Sequence, residues 1–159
     1  IMKTNVKDVS SKAENLVNSL KEKDDEIANL NSKLAKYQSE DILDKVLEVK
    51  GVKLLAAKVE AKEMDALRQT GDMLKDKLVS GVVVLGSVNG DKVNLVVMVS
   101  GDTLKKGAHA GNLIKELAAI TGGGGGGRPN MAQAGGKNPE KLDEALEKAK
   151  LILEKQINE

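Results

Sequence analysis

From Val9 onward, apolar residues return at alternating intervals of four and three: Val9, Ala13, Leu16, Leu20, then Lys23, then Ile27, Leu30, Leu34 and Tyr37. The residues between them are nearly all charged or amide. A stripe this narrow predicts an a/d coiled-coil seam on a long helical arm, residues 1–45. An isolated helix of such polarity is marginal in water, so the seam calls for a partner, either upstream sequence of a longer protein or the same helix of another copy. Lys23, the exception in the seam, reads as a snorkelling or partner-free side chain rather than a register device.

After Glu40 the periodicity changes. The run VKLLAAKVE at 52–60, short, apolar and preceded by Gly51, predicts a strand. Met64, Leu67, Met73, Leu74 and Leu78 then fall at helical spacing across 63–79. Two valine-rich runs at 82–88 and 93–99 flank Asn89-Gly90-Asp91-Lys92, a strong hairpin signal. A helix is expected from Gly107 through Leu113, Ile114, Leu117 and Ile120, and a last one after Pro139 carrying Leu142, Leu146, Ala149, Ile152, Leu153 and Ile157. Between them lie six consecutive glycines. The predicted order over residues 46–159 is strand, helix, strand, strand, helix, glycine loop, helix: an α+β module with a small mixed sheet and packed helices.

Composition removes several function classes. The 159 residues hold no Cys, Trp or Phe, one Tyr and one His, so there is no disulfide framework, no Cys zinc site and no aromatic platform for stacked bases. No apolar run approaches the roughly 20 residues needed to span a bilayer, and a cytoplasmic protein without a membrane partner is expected. Net charge is +1, which by itself predicts no nucleic-acid partner. Its distribution says more: residues 101–141 hold six positive and three negative charges, while the other stretches are balanced or acidic. The basic surplus lies around the glycines.

A glycine run lets backbone amides approach a phosphate or ribose with no Cβ in the way, and the helix after it offers a free N-terminus. No G-K-[ST] follows the glycines and no strand precedes them, so neither a P-loop nor a dinucleotide fingerprint is present. Composition alone leaves a flexible connector and a ligand cradle both open.

The string GGGGGGRPNMAQAGG, with NLIKELAAIT before it and a Pro139-led helix after it, closely resembles the C-terminal end of alanyl-tRNA synthetases. In that family the glycine run is followed by Arg, Pro, an acidic or amide residue, Met, Ala, Gln and a glycine pair, here Arg128, Pro129, Asn130, Met131, Ala132, Gln133, Gly135 and Gly136. The helical arm, the LRQTGDMLKDKL helix and the valine hairpin stand in the expected order. The resemblance implies a helical arm plus a globular module of the DHH-associated type that contacts the outer corner of tRNA, where the D and T loops meet. It further implies that this region assists aminoacylation and editing carried out elsewhere in the enzyme, and often contributes to oligomerisation through the arm or the globular module. The start at Ile1-Met2 reads as a piece of a longer protein, a ligase for alanine and its tRNA.

On that resemblance, the amides of Gly122, Gly123, Gly124, Gly125, Gly126 and Gly127, with Arg128, would hold backbone phosphates or a ribose. Lys105, Lys106 and Lys137 would extend the electropositive surface, and Asn130 and Gln133 would bond sugars or base edges. Blander roles stay open: Arg128 bracing the loop, Asn130 and Gln133 satisfying its own backbone, His109 as a helix-surface residue. The same module also closes phosphoesterases, but those carry a histidine where Arg128 stands, and one His without an Asp/His cluster builds no two-metal centre. Catalytic residues, metal and cofactor are therefore expected to be absent here, with ATP, Mg and Zn confined to other domains of the parent. The remaining alternatives are a structural dimerisation module with the glycines as connector, or an accessory nucleic-acid-binding domain of a DHH-type phosphoesterase.

Overall fold

A computed structural model describes residues 6–157, with side chains for all of these except 6, 7, 31, 32 and 34–40. Ile1-Met2 and the side chains of Leu34 and Tyr37 thus lie outside the described residues. The chain divides into two compact units, residues 1–38 and 39–159.

A single helix, α1 (Val6–Leu43), carries the seam. Val9, Leu16, Leu20, Ile27 and Leu30 are each more than half exposed, as a stripe meant for another helix would be. Lys23 lies in the same stripe and pairs with Glu26 at 3.3 Å.

The second unit is built on a six-stranded sheet. Its strands are β1 (Leu47–Val49), β2 (Val52–Lys58), β3 (Val82–Asn89), β4 (Lys92–Val99), β5 (Gly124–Gly127) and β6 (Met131–Gly136), in the spatial order β1-β2-β3-β4-β6-β5. Only β2 and β3 pair in parallel; the other neighbours are antiparallel. The parallel pair needs a crossover, supplied by α2 (Met64–Leu78). The other helices are α3 (Gly101–Lys105), α4 (Ala110–Ile120) and α5 (Leu142–Gln156).

Both faces of the sheet are covered, which explains why β3 and β4 read as continuous valine rather than as an alternation. Val82, Val84, Val93, Leu95 and Val97 join Leu113, Leu117, Leu146 and Leu153 in the core under α4 and α5. Val83, Leu85, Val96 and Met98 join Leu67, Leu74 and Leu78 in the core under α2. The β3–β4 hairpin closes on Gly90-Asp91, with Gly90 at φ 60, and Asn89 closes the ladder opposite Lys92.

The glycine run differs from expectation. Its last four residues are not a connector but strand β5, Gly122 and Gly123 forming the turn out of α4, and the following MAQAGG is strand β6, inserted between β4 and β5. The glycines therefore do not lead directly into the last helix. That helix begins after β6 and a 3-10 turn at Pro139–Lys141. Two short elements, β1 and α3, also go unannounced by the sequence, and α4 starts at Ala110 rather than at Gly107. The cause of the late start is local: His109 stands in extended conformation and its Nδ1 accepts from the Asn112 amide at 3.3 Å, capping the helix.

Helix α2 ends abruptly at Val79, whose φ of 66 and ψ of −52 are rare for a β-branched residue. The Ser80 amide reaches back to the Leu78 carbonyl at 2.7 Å, a γ-turn, and leaves Val79 80% exposed.

Candidate nucleic-acid interface

The six glycines serve different physical ends. Gly122 is the left-handed residue that ends α4, with φ 67. Its amide donates to Ala119 O at 3.3 Å and that of Gly123 to Ala118 O at 2.8 Å, the two bonds of a Schellman cap. Gly123, Gly125 and Gly127 leave no room for a side chain, because a Cβ there would run into the backbone of Gly135, of Gln133 and Ala134, and of Met131 and Ala132. At Gly124 and Gly126 a Cβ would meet nothing within 4 Å. Backbone conformation explains glycine at 122 and packing explains it at 123, 125 and 127, whereas Gly124 and Gly126 have neither reason.

Arg128, Pro129, Asn130 and Met131 close the β5–β6 hairpin. Arg128 and Met131 exchange both backbone bonds, Arg128 N to Met131 O at 2.8 Å and the reverse at 3.3 Å. Neither Pro129 nor Asn130 takes positive φ, so the turn lacks the primed geometry that suits twisted strands. The tip is instead pinned from outside: Ala110 N donates to Pro129 O at 2.8 Å and Val99 N to Asn130 O at 2.9 Å. At the far end, the carbonyl of buried Thr121 accepts from the amides of Lys137 and Asn138 at 2.9 and 3.0 Å. The hairpin is thus held at both ends. Bonding alternates along an antiparallel ladder, so the Arg128–Met131 pair places Gly126 and Gly124 in bonded pairs and turns the N–H and C=O of Gly125 toward the free edge.

Arg128, Asn130 and Gln133 are exposed, and among the described residues their side chains make no hydrogen bond or ion pair. Arg128 braces the turn through its backbone bonds to Met131, and the three side chains stand open to solvent. Lys105 and Lys106 sit on or just past α3, whose Leu104 shares a groove with Lys75, Val79, Pro129 and Asn130, so these lysines lie at the tip end. Lys106 also donates to Gly51 O at 3.1 Å. Lys137 lies at the opposite end of β6, roughly 20 Å from the tip by strand rise. The structure thus sets Arg128 and Asn130 together on the hairpin tip, puts Lys105 and Lys106 at the same end of the sheet with Lys106 turned toward the β1–β2 turn, and sets Lys137 and Gly122 apart at the other end. Sequence reading passed over Asn94, the polar side chain inside β4, which pairs with Gly135 beside the open glycines; the sign was an amide in an otherwise valine-rich run. His109, taken for a surface residue, is the half-buried cap of α4.

Glu144 on α5 accepts from Lys148 at 2.6 Å, which holds its carboxyl below the usual value, outside the hairpin. Among the described residues, no three His, Cys, Asp or Glu side chains gather as a metal site, and no helix is long and apolar enough to cross a membrane.

The fold and its glycine hairpin correspond to a known class: the DHHA1 domain family matches residues 51–155. The alanine–tRNA ligase of Alkaliphilus oremlandii is 54% identical over 158 residues, which are 99% of this chain and 18% of that protein. That of Bacillus subtilis is 53% identical over 145 residues, 91% of this chain and 16% of the ligase. The crystal structure of the C-Ala domain from Aquifex aeolicus alanyl-tRNA synthetase superimposes with a TM-score of 0.64 at 38% identity, over 69% of this chain and 98% of that domain. The chain belongs to the C-Ala domain family of alanyl-tRNA synthetases. It spans less than a fifth of the length of the ligases it matches.

Proposed function

We propose that this chain is the tRNA-binding C-terminal part of an alanine–tRNA ligase, and that the β5–β6 hairpin holds the outer corner of tRNA, where the D and T loops meet. The observation that carries this reading is the pair Gly124 and Gly126, bare of side chains where the fold has room for them. Such a surface lets a sugar-phosphate backbone lie directly on the strand. Arg128 and Asn130 at the pinned tip then supply charge and hydrogen bonds from a fixed position, and Lys105 and Lys106 extend the electropositive surface at the same end of the sheet. With neither Phe nor Trp in the chain, recognition rests on phosphates, ribose hydroxyls and shape, which suits an invariant corner better than a variable sequence.

On this reading the partners are tRNA and the remaining synthetase domains, the compartment is the cytoplasm, and the domain assists aminoacylation and editing that use ATP, Mg and Zn elsewhere in the protein. Filter binding at low salt should give micromolar or weaker affinity for folded tRNA, and Arg128→Ala should weaken it several-fold. Equal binding to an unrelated hairpin RNA overturns the reading. A second role, self-association, draws support from the exposed seam of α1.

A further inference from the structure

Two buried polar atoms stand without hydrogen-bond partners on the α2 side of the sheet: Ser87 Oγ on β3, in a fully buried residue, and Arg68 Nε on α2. Strand register brings Ser87 into the glycine surface. Ser87 pairs with Asn94, Asn94 with Gly135, and Gly135 with Gly124, so one row across four strands reads Ser, Asn, Gly, Gly. The neighbouring row is Leu85, Val96, Gln133 and Gly126. Both rows lie on the face that carries α2, because Leu85 and Val96 belong to the core beneath that helix. Over β5 and β6 this face is open: Gln133 is exposed, and the space above Gly124 and Gly126 is empty of protein. The result is a shelf with a polar back wall.

Arg68 overhangs it. A Cβ on Gly71 would meet Met98 Cε at 3.0 Å, and Lys75 shares the groove with Val99 and Asn130, so positions 68, 71 and 75 form the stripe of α2 that faces β4 and β6. The crossover connection runs α2 opposite to β3. Stepping back seven residues from Lys75 to Arg68 therefore moves about 10 Å along the helix axis, from the level of Val99 to that of Val96 and Gln133. Of the acidic groups on this helix face, Asp72 pairs with Lys75 at 3.2 Å, and Asp65, itself exposed, pairs with the Arg68 guanidinium at 3.7 Å, a partner that a phosphate would displace. Exposed pairs of that length hold little energy.

We propose that Arg68, Asn94 and Gln133 form a second anchoring site for the sugar-phosphate backbone of RNA, on the shelf about 7 Å along the strand from the level of Arg128. The guanidinium fork takes a phosphate, and the two amides take ribose hydroxyls or phosphate oxygens. The proposal rests on the reading that the glycine hairpin binds RNA, and it adds the α2 side of the site.

The test is folded-tRNA binding by the 159-residue chain across a salt series, with Arg68→Gln, Arg68→Lys, Asn94→Asp and Arg128→Ala compared, and thermal melts run on each. Arg68→Gln and Asn94→Asp are expected to weaken binding about tenfold. Arg68→Gln should also flatten the slope of log K against log salt by about one, a slope that Arg68→Lys restores. Wild-type affinity and slope in folded Arg68→Gln, with Arg128→Ala weakened, overturn this site and leave the hairpin reading standing. Should Arg68→Gln fail to fold, Asn94→Asp decides, an unchanged affinity counting against the site. No preference of the unaltered chain for folded tRNA over an unrelated hairpin overturns both.

Discussion

Gly125 and Gly126 are neighbours of identical chemistry on which the fold places opposite demands. A methyl group on Gly125 would collide with the backbone at Gln133 and Ala134, whereas one on Gly126 would enter open space. Gly125→Ala is therefore expected to destabilise the domain by about 1–3 kcal/mol or to displace β5, as overpacking does elsewhere. Gly126→Ala should stay within about 0.5 kcal/mol of the parent, since it fills nothing and only restricts the unfolded chain. Binding should rank them the other way: a methyl on the exposed face holds RNA off the strand, so Gly126→Ala weakens tRNA binding while its melting curve stays in place. Equal binding by Gly126→Ala and the parent would show that this glycine has no ligand. None of this division was legible in the sequence, where all six glycines look alike. What separates them is the register of β5 against β6.

Among the elements, legibility followed the side chains. The valine hairpin, α2 and α5 announce themselves because large apolar groups repeat at the period of the structure they form. Strands β5 and β6 do not, because a run of glycines has no alternation and MAQAGG carries its inward pattern on Ala132, Ala134 and Gly136, residues too small to signal burial. The three-residue β1 and five-residue α3 are too short for any periodicity. The end of α2 at Val79 was legible, but its geometry was not: Val79 is a poor residue for positive φ, and nothing in its side chain announces the turn there. Val79→Gly should relieve roughly 1 kcal/mol of backbone strain and raise the melting temperature, since the side chain it removes is exposed and packs little. A lower melting temperature would mean that Val79 is held by contacts worth more than its strain. For α1, the exposed seam predicts association through the arm. Sedimentation of a chain lacking residues 1–38 should then give a monomer with both sheet cores intact, and a dimer that survives the deletion assigns the interface elsewhere.

For the whole molecule, near-neutral net charge means that any RNA affinity must come from local placement rather than from long-range attraction. If three phosphates are neutralised at the hairpin and shelf, affinity for tRNA should fall about 40-fold between 50 and 200 mM salt, far less than for a strongly basic domain. The sequence by itself determined the helical arm, the valine-rich core, the exclusion of disulfide and Cys-zinc chemistry, and, through the ending RPNMAQ after the glycines, the likeness to alanyl-tRNA synthetases. These are matters of side-chain type and spacing, which a linear text preserves. The tertiary structure alone decided that the glycines form an edge strand, that two of them are bare without a packing reason, and that Arg128 stands on a tip pinned to β4 and α4. Those facts depend on which backbones lie side by side, and residues without side chains leave no trace of their neighbours in the sequence.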